Sequence, residues 1–245
     1  MKNQYVGDIN DYVKYGLIHS IAKVFDEKIL FVWMLTENDT SSHGSKIDYL
    51  KYPEKYQKDD GGLFDELNKI VDANNRNVAA IKNNRLFSHY EFISDFIKDD
   101  KESRSKYFDI VYEKAKNQNT IFFDPDNGIE VKDPKKGNKD SSKYVYWDEI
   151  QTVYDLKKNI LVYQHFPQRP KGGREMYIEN LVRECVSKFT EAMIVPIKTR
   201  NVVFIFILQK PTDLIYNLHD ELKKWNGELE MMFFQKIKVI GTPKN

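Results

Sequence analysis

Apolar residues recur at helical spacing through Val13, Leu17, Ile21 and Val24, joined by Ile18 and Phe25, and Asp8, Asn10 or Asp11 can cap the first turn. This predicts a first helix of about four turns. Ile29 to Leu35 is a continuous apolar run and reads as a buried strand. The stretch from Thr36 to Gly62 is polar apart from Ile47-Asp48-Tyr49-Leu50, and is longer than most connections, which suggests a lid or a substrate-binding insertion. Leu63 to Val71 is helical in pattern, Val78 to Ile81 reads as a short strand, and Phe92 to Phe96 and Tyr107 to Ala115 suggest further helices.

The pattern sharpens in the second half. It predicts strand Thr120–Asp124, helix Trp147–Leu156, strand Ile160–Gln164 and helix Met176–Phe189. Strands Ala192–Ile197 and Val202–Leu208, a helix Leu214–Trp225 and a last strand Phe233–Ile240 follow. Alternating strands and helices call for a mainly parallel sheet covered on both faces, because each parallel crossover needs a long connection. The four residues Lys198-Thr199-Arg200-Asn201 instead join two strands closely enough for an antiparallel hairpin, expected at the sheet edge. One α/β domain over 1–245 is expected, with 36–62 and 132–143 as loop insertions.

Composition narrows the class. A chain of 245 residues with 41% hydrophobic and 31% charged residues is that of a globular protein. No apolar run is long enough to span a membrane, and the start Met1-Lys2-Asn3-Gln4-Tyr5 lacks the features of a secretory signal, so a cytoplasmic location is expected. The single cysteine, Cys185, lies in a helical apolar pattern and reads as core packing. A formal net charge of +1 neither demands nor excludes a nucleic acid, but two loops are locally basic. They hold Lys135 and Lys136, and Arg169, Lys171 and Arg174.

In open parallel sheets ligands bind beyond the carboxyl ends of the strands. That rule selects Asp124-Pro125-Asp126-Asn127-Gly128, the segment His165-Phe166-Pro167, and Gly7-Asp8-Ile9-Asn10-Asp11 if the first helix opens at the same rim. Asp124 and Asp126 suit water activation or charge stabilisation, Asn127 and Asn10 offer a donor and an acceptor each, and His165 can exchange a proton. Each has a bland alternative. Asp-Pro-Asp-Asn-Gly is also a good turn, Asp8, Asn10 and Asp11 compete to cap a helix, and His165 can bond into its own loop. His19, His43, His89 and His219 show no metal-ligand spacing, so no metal is assigned, and a cation held by Asp124 and Asp126 stays an alternative.

Gly7-Asp8-Ile9-Asn10-Asp11-Tyr12-Val13-Lys14-Tyr15, Phe122-Phe123-Asp124-Pro125 and Tyr163-Gln164-His165-Phe166-Pro167 resemble, in this order, segments of the bacterial ribosomal-RNA adenine-N6 methyltransferases. The resemblance implies a Rossmann-like three-layer α/β sandwich, with a mainly parallel sheet and a C-terminal antiparallel hairpin. It also implies S-adenosylmethionine as cofactor. Where that family has a glycine-rich loop, this chain reads Met34-Leu35-Thr36-Glu37-Asn38-Asp39-Thr40, with no glycine until Gly44, and where it has Asp-Pro-Pro-Tyr this chain has Asp-Pro-Asp-Asn. The carboxylates, amide and histidine are similar to the set of single-domain α/β DNA glycosylases, including those of prokaryotic antiviral defence.

The expectation is a nucleic-acid-directed hydrolase without a cofactor, cleaving the N-glycosidic bond of a flipped base, with DNA favoured over RNA. Asp124 or Asp126 would act on water or the sugar cation, Asn127 and Asn10 would read the base, and His165 would assist the leaving group. Arg169, Lys171, Arg174, Lys135 and Lys136 would hold phosphates. An S-adenosylmethionine-dependent methyltransferase and a metal-dependent nuclease are the alternatives.

Overall fold

Strands β1 (Ile29–Val32) and β3 (Thr120–Phe123) are buried at every position, as strands covered on both faces must be. In the computed structural model, which describes residues 1–225 and 227–232, they form the centre of a seven-stranded sheet. Its order is β2 (Glu91–Ile93), β1, β3, β6 (Asn159–His165), β8 (Val202–Leu208), β7 (Met193–Lys198) and β9 (Glu230–Met231). The first four run parallel, β8 is antiparallel to both of its neighbours, and β9 is antiparallel to β7. The chain is a Rossmann-like α/β sandwich with a mainly parallel sheet and an antiparallel C-terminal part.

Side chains alternate between two cores, as the period of a strand requires. Phe31, Phe122, Leu161 and Phe204 face one layer, with α1 (Ile9–Phe25), α3 (Gly61–Asp72) and α8 (Leu214–Leu222). Leu30, Val32, Ile121, Phe123 and Val162 face the other, with α5 (Lys101–Ala115), α6 (Trp147–Asp155) and α7 (Gly173–Lys188). Buried Cys185 belongs to this second core, where burial pushes its thiol pKa up. Among the described residues no helix is long and apolar enough to cross a membrane.

Three expectations change, and a fourth lies outside the described residues. Val78–Lys82 is a helix, because the Asn77 side chain accepts from the Ala80 amide and starts a turn there. The run at Phe92 is strand β2, since its backbone finds partners in register with Leu30 to Val32 of β1, and pairing overrides a short ambiguous pattern. The hairpin of β7 and β8 forms, but β8 lies inside the sheet, which explains why all of Val202–Leu208 is apolar and buried. The strand expected at Phe233–Ile240 falls outside the described residues.

The two long loops are not bare. A short helix, α2 (Pro53–Tyr56), lies within 36–62. The end of 132–143 is held by buried Arg104, which bonds both Glu149 oxygens at 2.7 and 2.8 Å, Ser141 O at 3.1 Å and Tyr144 O at 2.7 Å. That clamp brings Tyr144–Val145 beside Gly128–Ile129 as a small parallel pair.

Candidate functional site

The loop after β3 is splinted rather than loose. Asp124 N continues the ladder to Val32 O at 3.0 Å, Asn127 N donates to Lys143 O at 2.9 Å, and Asn127 O accepts from His165 N at 3.1 Å. Gln164 completes the splint, donating to Asn127 O at 3.2 Å and accepting from Ile129 N at 2.8 Å. Gly128 has φ +123°, and a Cβ there would lie 2.3 Å from the Gln164 carboxamide, so only glycine fits. The backbone of Asn127 is thus fixed, while its side-chain amide has no partner among the described residues.

The N-terminus of α1 meets this loop. Asp8 caps the helix, accepting from Asp11 N at 2.9 Å. Two turns of the same helix carry the buried Lys14 ammonium between Asp11 Oδ1 at 2.5 Å and Asp124 Oδ2 at 2.7 Å. A second cluster surrounds Asp126, whose carboxylate meets the Met1 ammonium at 2.7 Å, Lys2 Nζ, and the Thr36 hydroxyl at 2.7 Å.

These settings pull the carboxyl groups apart. Burial raises Asp8, against the Asp11 amide and Lys14. Burial also raises Asp11 to about 7, with Lys14 opposing and the charges of Asp8 and Asp124 adding to the rise. At Asp126 burial is overcome by the Met1 and Lys2 ammonium groups, which hold it well below the usual carboxylate range. Lys14 is held well above its ordinary value, because Asp11 and Asp124 outweigh its desolvation. The site thus combines carboxyl groups whose pKa burial raises with one that two ammonium groups hold down, a separation of the kind that divides acid from base roles.

Asp8, Asn10, Asp124, Asp126, Asn127 and His165 line one cavity of about 370 Å³, a size within the range of small-ligand sites. Sequence reasoning placed these six residues as site candidates. It gave no role to Lys14, which shares the lining with Asp11 and Tyr163. A lysine and an aspartate three apart among the apolar positions of α1 were the available signal.

His165 stands at the exposed mouth with Nδ1 2.8 Å from Phe166 O. A carbonyl only accepts, so Nδ1 carries the hydrogen and Nε2 of the neutral ring presents a lone pair. Asn10 is also oriented, its Oδ1 accepting from Asn201 Nδ2 at 3.1 Å.

The basic loops divide. Gln168 lines the cavity, which brings the loop of Arg169 and Lys171 to its edge, and Arg174 stacks on Phe166 at 5.0 Å. Lys136 instead pairs with Asp148 at 2.6 Å and with Glu149 at 3.2 Å, and neither it nor Lys135 lines the cavity. No group of three or more metal-ligating side chains occurs among the described residues.

The place where a glycine-rich cofactor loop would turn, beyond β1, is filled. Met1 and Lys2 are buried there, the Met1 ammonium donates to Met34 O at 3.3 Å and Asp124 O at 3.1 Å, and Thr36 N donates to Met1 O at 2.9 Å. Met34, not a glycine, takes the left-handed turn at φ +46°. The packed Met1 takes up the turn where a glycine-rich loop lets S-adenosylmethionine approach the backbone, so these residues do not fit that cofactor.

No protein-family model matches the chain, and no curated protein matches it. Among solved structures it is similar to one titled human Methyltransferase-like protein 13 in complex with SAH, at 10% identity and a TM-score of 0.37, covering 92% of this chain and 93% of that one.

Proposed function

We propose that the chain is a hydrolase that cleaves the N-glycosidic bond of a nucleotide held in the cavity between α1 and the ends of β3 and β6. The observation that carries this reading is the unpartnered Asn127 amide, held by a fixed backbone at the same cavity as Asp8, whose carboxyl pKa burial raises, and the lone pair of His165 Nε2. A base is read by paired donors and acceptors on its edge, and an amide supplies both.

The step assigns one task to each group. Water adds to the sugar C1′ as the bond from C1′ to the base nitrogen breaks, and the electron pair of that bond leaves with the base. His165 Nε2 takes the proton from water, and Asp8 gives one to the departing nitrogen. Asp124 Oδ1, which is free of the Lys14 contact on Oδ2, faces the positive charge that develops on the sugar. Asp126 is engaged by two ammonium groups and a hydroxyl and positions the loop.

Methyl transfer lacks a cofactor seat on this reading. The test is aldehyde-specific labelling of abasic sites in unmodified and base-modified DNA and RNA after incubation with the purified protein. Labelling that requires Asp8 and Asp124 supports the proposal; its absence from every substrate overturns it.

A further inference from the structure

A second cavity, of about 510 Å³, adjoins the first. Asn10 and Lys46 line both. These two shared residues are fixed by the bond from Asn201 Nδ2 to Asn10 Oδ1 at 3.1 Å and by the bond from Ile9 N to Lys46 O at 3.0 Å, so the two cavities lie side by side across one wall.

Its chemistry differs from that of the first. Tyr52 is 53% exposed, and its ring stacks on no other aromatic among the described residues, unlike Tyr56 and Tyr49 beside it. The acids here are engaged: Asp48 pairs with Lys51 at 2.6 Å and Glu228 with Lys55 at 3.7 Å. The ammonium of Lys46 and the guanidinium of Arg200 have no acidic partner among the described residues, and both are exposed. A free aromatic face beside two uncommitted cations is the combination that holds a single nucleic-acid strand.

We infer that this second cavity binds the nucleotide that flanks the one in the first, with its base on Tyr52 and its phosphate at Lys46 and Arg200, so that the substrate is a single-stranded or locally opened polynucleotide. This rests on the reading of the first cavity as a nucleotide site. Neither Lys46, Tyr52 nor Arg200 has a part in the proposed chemistry, and all three are exposed, so their substitution leaves the fold intact.

The test is fluorescence anisotropy with labelled homo-oligonucleotides of each base, as deoxyribo and ribo forms, with unlabelled mononucleotides as competitors. Tyr52→Ala and Arg200→Gln are each expected to weaken oligonucleotide binding by about tenfold or more while mononucleotide affinity stays unchanged. Arg200→Gln is also expected to lower the salt slope by about 0.7, the value for one phosphate contact on a single strand. Oligonucleotide binding equal to wild type in both variants overturns the flanking site and leaves the first cavity standing. Failure of wild-type protein to bind any mononucleotide or oligonucleotide overturns both readings, and the deoxyribo and ribo arms distinguish DNA from RNA.

Discussion

Lys14 and Asp124 stand 110 positions apart in the chain, yet the Lys14 ammonium lies 2.7 Å from Asp124 Oδ2, with both side chains buried. The contact ties α1 to the end of β3, and with Asp11 it makes a buried triad whose charges depend on one another. Replacing the middle member leaves two carboxyl groups facing each other without a cation. Lys14→Met is expected to cost about 3–5 kcal/mol in denaturant unfolding. Neutralising all three positions together should recover most of that loss, since a buried network can be exchanged for neutral groups at little net cost. A Lys14→Met protein as stable as wild type would refute the triad.

The same triad gives stability a direction with pH. Asp11 titrates near 7 in the folded chain against an ordinary value of 3.8, so between these limits the folded form holds the proton more tightly. Its contribution is present below pH 3.8 and is lost as the pH rises towards 7. Asp126 acts with the opposite sign, contributing above 3.8 and losing that contribution as the pH falls. Carboxyl carbon NMR should show a midpoint near 7 for Asp11, and Asp11→Asn should flatten the decline of stability between those limits; a midpoint near 3.8 is the contrary outcome.

Asn127 separates a binding role from a structural one. Its backbone makes the bonds that splint the loop, and its side chain makes none among the described residues. Asn127→Ala should therefore unfold at the wild-type denaturant concentration yet lose about tenfold to a hundredfold in kcat/KM, the range expected for a bidentate contact to a base. A parallel loss of stability would show the residue to be a turn former only.

The architecture was legible where the pattern was long. The strands at Ile29, Thr120, Ile160, Val195 and Val202 and the helices at Val13 and Met176 could be read because burial on both faces or on one helical stripe leaves a continuous signal. Glu91–Ile93 and Val78–Lys82 are short, and their states are set by a neighbouring strand and by one asparagine cap. The rim residues Asp8, Asn10, Asp124, Asn127 and His165 could be found from their positions at strand and helix ends. Lys14 and Lys2 could not, because their significance lies in charges brought from elsewhere in the chain.

The two basic loops are expected to behave differently in binding. Lys136 is committed to Asp148 and Glu149, whereas Arg169 and Lys171 are exposed beside the cavity edge at Gln168. Removing Arg169 and Lys171 should weaken oligonucleotide binding and reduce its salt dependence by about 0.7 per lost phosphate contact. Removing Lys135 and Lys136 should leave both unchanged in the same anisotropy titrations, and a larger effect from this second pair would move the phosphate path to the other loop.

The measurement that bears most directly on the central claim is the intact mass of a mixed-sequence oligonucleotide after incubation with the protein. Hydrolysis at the cavity predicts a product lighter by one base and heavier by one water, formed by wild type and absent with Asp8→Asn or Asp124→Asn. An oligonucleotide whose mass never changes, or one that gains a methyl group when S-adenosylmethionine is supplied, would contradict the account.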